Sequence, residues 1–231
     1  MITQADFVEL TDSFSKTHGL VDIQGWLQPN EQQTLHALAA RTDGQILEVG
    51  PWIGRSTVCL TRGLLLRKDR QPGDKVTSVE LNPDETFFRR NDKDEVEFWC
   101  PGDTEPRGHT TAEIYETIVL PAITAPGGLV GKLKQTLADH NVLHLSRIVP
   151  GDVSDVLPID DYGLIFSDIS HTPFEIQKMV SALKPVLRPG VILACHDTTP
   201  PNRIALEAAL NYDWTALCGS LHVGQIGDTD T

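Results

Sequence analysis

Several short apolar runs in this chain stop at an ionisable side chain. Ile46-Leu47-Glu48-Val49 meets Gly50, and the run over residues 75–80 ends at Glu80. The runs over 145–149, 163–166 and 191–195 lead to Gly151-Asp152, Ser167-Asp168 and His196-Asp197. An acid at a strand end often caps the next helix, but a succession of them sets carboxylates and an imidazole along a common rim. That set suits two kinds of proton chemistry. In one, a divalent cation sits on Asp168 and Asp197, with His196 or water completing the shell, and lowers the pKa of a bound hydroxyl. Carboxylate oxygens favour magnesium, and a histidine tilts the choice towards manganese or zinc. In the other, His171 or His196 is a general base, because imidazole titrates near neutral pH. Asp168 and Asp197 follow consecutive strands, about 5 Å apart in a sheet, where two carboxylates repel unless a cation lies between them. Adjacent strand residues can face opposite ways, which leaves His196 free to turn from the rim. The plainer alternative has Asp168 touching a ligand while Asp197 caps the next turn through Thr198 and Thr199.

The first run continues into Gly50-Pro51-Trp52-Ile53-Gly54. A dinucleotide site wants G-x-G-x-x-G, with bare backbone against the pyrophosphate. Here Trp52 fills that place, and Pro51 has no N–H to donate. A ligand with adenosine and no phosphate suits the turn better, and S-adenosylmethionine is such a ligand. Glu80, ending the second strand, is positioned to accept bonds from both ribose hydroxyls, and Asp152 to meet the adenine amino group. A nicotinamide-dependent oxidoreductase is the weaker reading of the same turn.

Strands alternating with helices must hold these ends in place. Helical stretches are expected over 56–66, 129–140, 174–186 and 204–210, the third stopped by Arg188-Pro189-Gly190. The residues 214–217 and 221–226 read as a closing hairpin around Gly219-Ser220, with 221–226 antiparallel. The alternation predicts a doubly wound α/β fold: a mostly parallel seven-stranded sheet with helices on both faces. Ligands then bind beyond the carboxyl ends of the strands. Leu35, Leu38 and Ala39 recur at helical spacing, with Asn30 before Glu31 as the expected N-cap, and Gly25-Trp26-Leu27 precedes them as a lid or platform edge. The chain reads as one domain over 1–231, with an N-terminal helical cap over 1–40. Residues 84–124 depart from the alternation, with 10 acids against 4 bases. They read as an insertion on the substrate side, partly helical over 112–120.

The chain carries 19 Lys+Arg against 32 Asp+Glu, a net charge of −13. A surface this acidic repels phosphate backbones and anionic lipid, which argues against nucleic-acid and membrane partners and for a small-molecule substrate. No apolar run approaches the ~18 residues of a spanning helix. No Lys or Arg precedes Lys16, so no basic start of a signal peptide is expected. Cys59, Cys100, Cys195 and Cys218 form no CxxC pair and read as reduced thiols. A cytoplasmic protein is expected, with Trp26 and the N-terminal helix as a candidate homodimer contact. His18, His36, His109, His140, His144 and His222 belong to no constellation.

The stretch Ile46-Leu47-Glu48-Val49-Gly50-Pro51-Trp52-Ile53-Gly54-Arg55-Ser56-Thr57 resembles motif I of the class I S-adenosylmethionine-dependent methyltransferases. More narrowly, it is similar to a bacterial subgroup reading E-[IV]-G-x-x-x-G-[RK]-S-T, which includes small-molecule and sugar O-methyltransferases. Gly25-Trp26-Leu27 matches an upstream G-W-L of that subgroup, and His196-Asp197 matches its H-D. Its D-x-D-H reads here Asp168-Ile169-Ser170-His171, with Ser170 in place of the second acid. The resemblance implies a Rossmann-like methyltransferase fold. It implies cofactor contacts from Glu48, Gly50, Gly54, Ser56, Thr57, Glu80 and Asp152, with Trp52 lining the pocket. It implies methylation of a small-molecule or sugar hydroxyl, with magnesium or manganese on Asp168, Asp197 and His196, and with His171, His196 and Asp168 as the catalytic set. The Ser170 departure keeps open a cofactor-binding module without methyl transfer.

Overall fold

The computed structural model describes residues 3–13 and 20–228, so His18 lies outside the described residues. Helices α1 (Gln4–Ser13) and α2 (Pro29–Arg41) lead into strand β1 (Gln45–Val49), helix α3 (Arg55–Leu65) and strand β2 (Val76–Glu80). Next come three short strands, β3 (Phe88–Arg90), β4 (Glu95–Phe98) and β5 (Gly108–Thr111). Helix α4 (Ala112–Ile114) passes through a π-helical turn at Tyr115–Val119 into α5 (Leu120–Ile123). The alternation then resumes with α6 (Gly128–Asp139), β6 (Ser146–Pro150), α7 (Val153–Val156), β7 (Tyr162–Ser167), α8 (Pro173–Leu183) and β8 (Ile192–Cys195). Helix α9 (Pro200–Ala209) and the hairpin of β9 (Tyr212–Cys218) and β10 (Leu221–Ile226) close it.

Seven strands form one sheet in the order β6-β2-β1-β7-β8-β10-β9. Pairing is parallel from β6 through β8, and β10 lies antiparallel between β8 and β9. The expected doubly wound, mostly parallel sheet is the one observed. Because side chains alternate along a strand, each central strand feeds two cores. Ile46, Leu164, Phe166, Ile192 and Ala194 pack on one face with Leu35 and Leu38 of α2, Leu60 and Leu64 of α3 and Leu133 of α6. Leu47, Val49, Ile165, Leu193 and Cys195 pack on the other with Ile176, Met179 and Leu183 of α8 and Leu206 of α9. Among the described residues no single helix is long and apolar enough to cross a membrane.

Two local expectations need correction. Pro29 opens α2 and Gln28 is its N-cap, so Asn30 lies inside the first turn, where its side-chain amide donates to Cys218 Sγ. Proline suits the first helical position because that N–H has no intrahelical partner. The insertion is helical over most of 112–123, but it also carries the three-stranded antiparallel sheet β3-β4-β5. These strands hold three or four residues each; Arg and Glu fill much of β3 and β4, and β5 is Gly-His-Thr-Thr, so no apolar alternation marked them. Their aromatic rings supply the missing core: Phe88 lies 5.3 Å from Phe98 and 5.2 Å from Tyr115. Asp103 and Arg107, 2.8 Å apart, link the insertion to the helices behind it, Arg107 to Asp152 at the start of α7 and Asp103 to Lys178 of α8.

Helices α2 and α3 pack closely where Gly63 faces the α2 backbone. A Cβ at Gly63 would come within 2.1 Å of the His36 carbonyl oxygen and 2.8 Å of Ala39 Cβ. Gly63→Ala must therefore push the two helices apart. We expect a loss of about 1–3 kcal/mol, the usual cost of overpacking a core, measured by denaturant unfolding; unchanged stability would mean that the helices can separate freely.

Candidate functional site

The rim forms where β1, β2, β6, β7 and β8 end side by side. Three of the five non-glycine residues described with left-handed backbone lie there: Trp52 (φ 51) after β1, Asn82 (φ 56) after β2 and Asp197 (φ 51) after β8. Each such residue costs of order 1–3 kcal/mol and is typical of ligand-binding turns. Gly50 takes φ +80, and a Cβ there would lie 2.6 Å from Ile169 Cγ2 and 3.0 Å from the Asp168 carbonyl oxygen. Bare backbone at Gly50 thus lets the chain leaving β7 pass close by. Gly54, also left-handed, precedes α3 as its N-cap.

Glu48, Ser56 and Thr57 lie beneath this turn. Glu48 is fully buried and its Oε2 accepts from Thr57 Oγ1 at 2.7 Å and Ser78 Oγ at 2.6 Å. Burial raises its carboxyl above the usual range despite these hydroxyl bonds. Ser56 and Thr57 are buried in the first turn of α3. Glu80 stands higher. Its Oε2 accepts the Trp52 N–H at 3.2 Å and its Oε1 the Asn82 N–H at 3.3 Å. Burial pushes its pKa up to about 7, against the pull of these amides. Asp152 caps α7, with Oδ1 accepting from Ser154 N at 2.9 Å and Oγ at 2.6 Å, while Oδ2 faces Arg107 at 3.5 Å. Partial burial opposes ionisation there, but the Ser154 bonds and the Arg107 charge outweigh it and hold its pKa low.

Trp52 is half-buried, and its indole donates to Gln24 Oε1 at 2.8 Å while its ring lies 5.8 Å from Trp26. Arg55 donates through Nε to the Ile23 carbonyl and through Nη1 to the Leu27 carbonyl at 2.9 Å. The segment around Gly25-Trp26-Leu27 is thereby strapped against the turn. Arg55 and Gln24 were not singled out from sequence, although Arg55 stood within the motif.

Strand parity decides the rest. Residues 192, 194 and 196 of the β8 line share a face, as do 164, 166 and 168 of the β7 line, so Asp168 and His196 both turn towards α2. His196 is buried, with Nδ1 donating to Asp168 Oδ1 at 2.9 Å and Nε2 to Glu31 Oε2 at 3.2 Å. Burial alone would keep the ring neutral, but two carboxylate partners reverse that and raise its pKa. With both nitrogens engaged, His196 has no lone pair for a cation or a substrate proton. The left-handed backbone at Asp197 breaks the alternation and keeps its side chain outside. There it meets His171, with Nε2 3.7 Å from Asp197 Oδ2 and both side chains about half exposed. Donor atoms of Asp168, His171 and Asp197 all lie within 4.8 Å of one another. The cluster whose donor atoms converge at the rim contains His171, while His196, the third member named from the sequence, lies behind it with Nδ1 also 3.5 Å from Asp197 Oδ1. Ser170 is buried and its hydroxyl has no partner among the described residues. His36 and His222 are buried in α2 and β10, His140 contacts Arg62, and His109 and His144 are exposed, none of them in this cluster.

The doubly wound sheet thus carries a glycine turn after β1, an acid ending β2 and an acidic cluster after β7 and β8 along one rim, the place where ligands bind in such sheets. The family model described as a methyltransferase domain matches residues 47–198, more than half of the sequence, and the chain belongs to that family. Among solved structures the chain is similar to CalS11, a TDP-rhamnose 3′-O-methyltransferase of calicheamicin biosynthesis. That match has 16% identity and a TM-score of 0.55, over 98% of this chain and 83% of that one. It is similar to the O-methyltransferase NovP at 13% identity and TM-score 0.55, over 85% and 79% of the two chains. It is also similar to an O-methyltransferase from Bacillus cereus in complex with SAH, at 13% identity and TM-score 0.50, over 97% and 90%. At these identities the likeness is one of fold. No curated protein matches the sequence.

The raised pKa of Glu80 has a definite sign in stability. Its folded pKa, about 7, lies above the ordinary 4.5. The protonated side chain therefore contributes stability that is complete below 4.5 and lost as pH rises through 7. Glu80→Gln mimics the protonated form, so its melting temperature relative to wild type should climb between pH 4.5 and about 7 and then level. A difference constant across thermal melts from pH 4 to 8.5 would contradict the burial of an ionisable Glu80.

Proposed function

We propose that the protein is an S-adenosylmethionine-dependent O-methyltransferase acting on a hydroxyl of a small molecule. The observation that carries this reading is the convergence on one rim of the Gly50–Gly54 turn, the buried Glu80 carboxylate and the Asp168–His171–Asp197 cluster. Membership of the methyltransferase-domain family supports it, as does the complex of the Bacillus cereus neighbour with SAH. CalS11 and NovP, both O-methyltransferases, support oxygen as the atom modified. The charge of −13 favours a small acceptor over nucleic acid.

The residues present fit the cofactor. A carboxylate can accept about four bonds, and Glu80 uses two on backbone amides, so it retains capacity for the paired hydroxyls of a ribose. Asp152 stands at the adenine end, and Trp52 forms a wall. Pro51 and Trp52 deny a pyrophosphate its backbone donors, which disfavours a nicotinamide cofactor. Glu48, Ser56 and Thr57 act from below, fixing the turn. S-adenosylmethionine bound here would supply a sulfonium-borne methyl group. The chain's own task is to align the acceptor hydroxyl and take its proton.

His171 Nε2 is the proton acceptor, with Asp197 beside it to orient the ring and balance its charge. His196 is committed to Asp168 and Glu31 and has no part in the transfer. In the alternative route Asp168, His171 and Asp197 would instead hold a magnesium- or manganese-like ion, with His171 a ligand and not the base, and the ion would lower the pKa of the acceptor hydroxyl.

Quenching of tryptophan fluorescence by S-adenosylhomocysteine, with none by NADH, is the expected result. In calorimetry Glu80→Ala should weaken S-adenosylhomocysteine by on the order of 1.5–3 kcal/mol per lost bond. Unchanged affinity would remove Glu80 from the ribose.

For the proton step, Asp168→Asn and Asp197→Asn should each lose turnover. Chelator should abolish activity, and magnesium or manganese should restore it. Full activity after exhaustive chelation would assign the step to His171 alone.

A further inference from the structure

We propose that Glu31 is a positioning residue for methyl transfer, holding the His196 ring so that Asp168 keeps one oxygen turned to the acceptor; this rests on the function proposed above. Glu31 is fully buried at the start of α2. Four donors converge on it: Gln28 N at 2.7 Å, His196 Nε2 at 3.2 Å, and Ser220 N and Oγ at 2.7 and 2.9 Å. A buried carboxylate is costly unless its bonds are complete, and here they are complete. Burial pushes its pKa up, but the bonds from His196, Gln28 and Ser220 outweigh this and hold it well below the ordinary range.

The surroundings are shaped to admit it. Gly219 takes φ +64 in the β9–β10 turn, and a Cβ there would lie 2.5 Å from Glu31 Oε1. Capping α2 needs only an acceptor for the Gln28 N–H and gives no reason for the other three bonds. What those bonds secure is the plane of His196. The ring is gripped at Nε2, so Nδ1 meets Asp168 Oδ1 in one orientation. The second oxygen of Asp168 accepts no hydrogen bond among the described residues, and the side chain is 25% exposed. Asp168 is also a member of the cluster with His171 and Asp197. Glu31 and Ser220 both lie outside the matched residues 47–198, whereas Asp168 and His196 lie inside. Two flanking segments thus fix a side chain that belongs to the domain proper. A carboxylate behind an imidazole that touches a reacting group sets the ring's orientation in other enzymes as well.

The test is Glu31→Gln, which keeps the shape and removes the charge and one acceptor. Loss of an outer partner typically costs 10–100-fold in activity, and that loss is expected in kcat. The KM for S-adenosylmethionine should stay within about twofold, because the affected group acts at the acceptor. Ser220→Ala, which deletes one donor of four, should show a smaller loss. A merely structural role would lower stability and cofactor affinity together and leave kcat per folded molecule unchanged; that result overturns the proposal.

A second measurement needs neither the variant nor an acceptor. In protein labelled with ¹⁵N-histidine, His196 should show a slowly exchanging Nε2–H resonance, assigned by its loss in His196→Gln. If Glu31→Gln does not fold, this resonance decides: fast exchange in the wild type overturns the proposal. If the resonance is present but no acceptor is ever methylated, the function proposed above fails while the grip of Glu31 on His196 stands.

Discussion

The burial of His196 between two carboxylates is the constraint around which the rim is organised. His196, with Glu31 on one side and Asp168 on the other, forms a chain of three hydrogen-bonded ionisable groups on the α2 face. Separately, each of these groups would be unfavourable there, since removing one member of such a set leaves an uncompensated buried charge. Together they bind α2, the β9–β10 turn and the ends of β7 and β8 into one unit. The outward set of Asp168, His171 and Asp197 owes its geometry to this inward one, because Asp168 belongs to both.

The division between inward and outward groups comes from strand parity with one exception. Along β8 the side chains of Ile192 and Ala194 enter the α2 face, and His196 follows them. Asp197 should then enter the α8 face. It does not, because its backbone turns left-handed (φ 51). A single dihedral thus converts what would be a buried pair into a buried histidine next to an exposed aspartate. Left-handed residues recur at Trp52 and Asn82, so the turns that follow β1, β2 and β8 each leave the pleat within three residues of the strand end.

Much of this was legible in the sequence. The apolar runs located all seven strands of the main sheet: the central ones because strands buried on both faces read as mostly apolar, and the edge strands β6 and β9 through shorter runs, although they are only partly buried. The Gly219-Ser220 turn located the antiparallel strand, and the strand-terminal acids located the rim. The exchange of His171 for His196 was not legible: it depends on the φ of Asp197 and on a partner 165 residues away, and neither leaves a local signal. Glu31 was hidden differently. Three residues after Gln28, it reads as an ordinary helix-start acid, and nothing nearby reveals that its second oxygen is committed to Ser220. The strands of the insertion escaped because their core is aromatic and contributed by only a few residues among many charges.

The contact between Glu31 and Ser220 spans 189 residues of chain. During synthesis, α2 emerges well before β8 and β10 with a carboxylate that must be buried, and three of its four donors do not yet exist. Until residue 220 has been made, the helix can dock on the sheet only by leaving that charge undersatisfied or by leaving the carboxylate in water. Contacts of such high sequence separation close late and slowly. Helix α2, made well before β10, is therefore fixed only late. The rim acquires its final form only when β10 slots between β8 and β9, so that assembly of the site coincides with completion of the sheet.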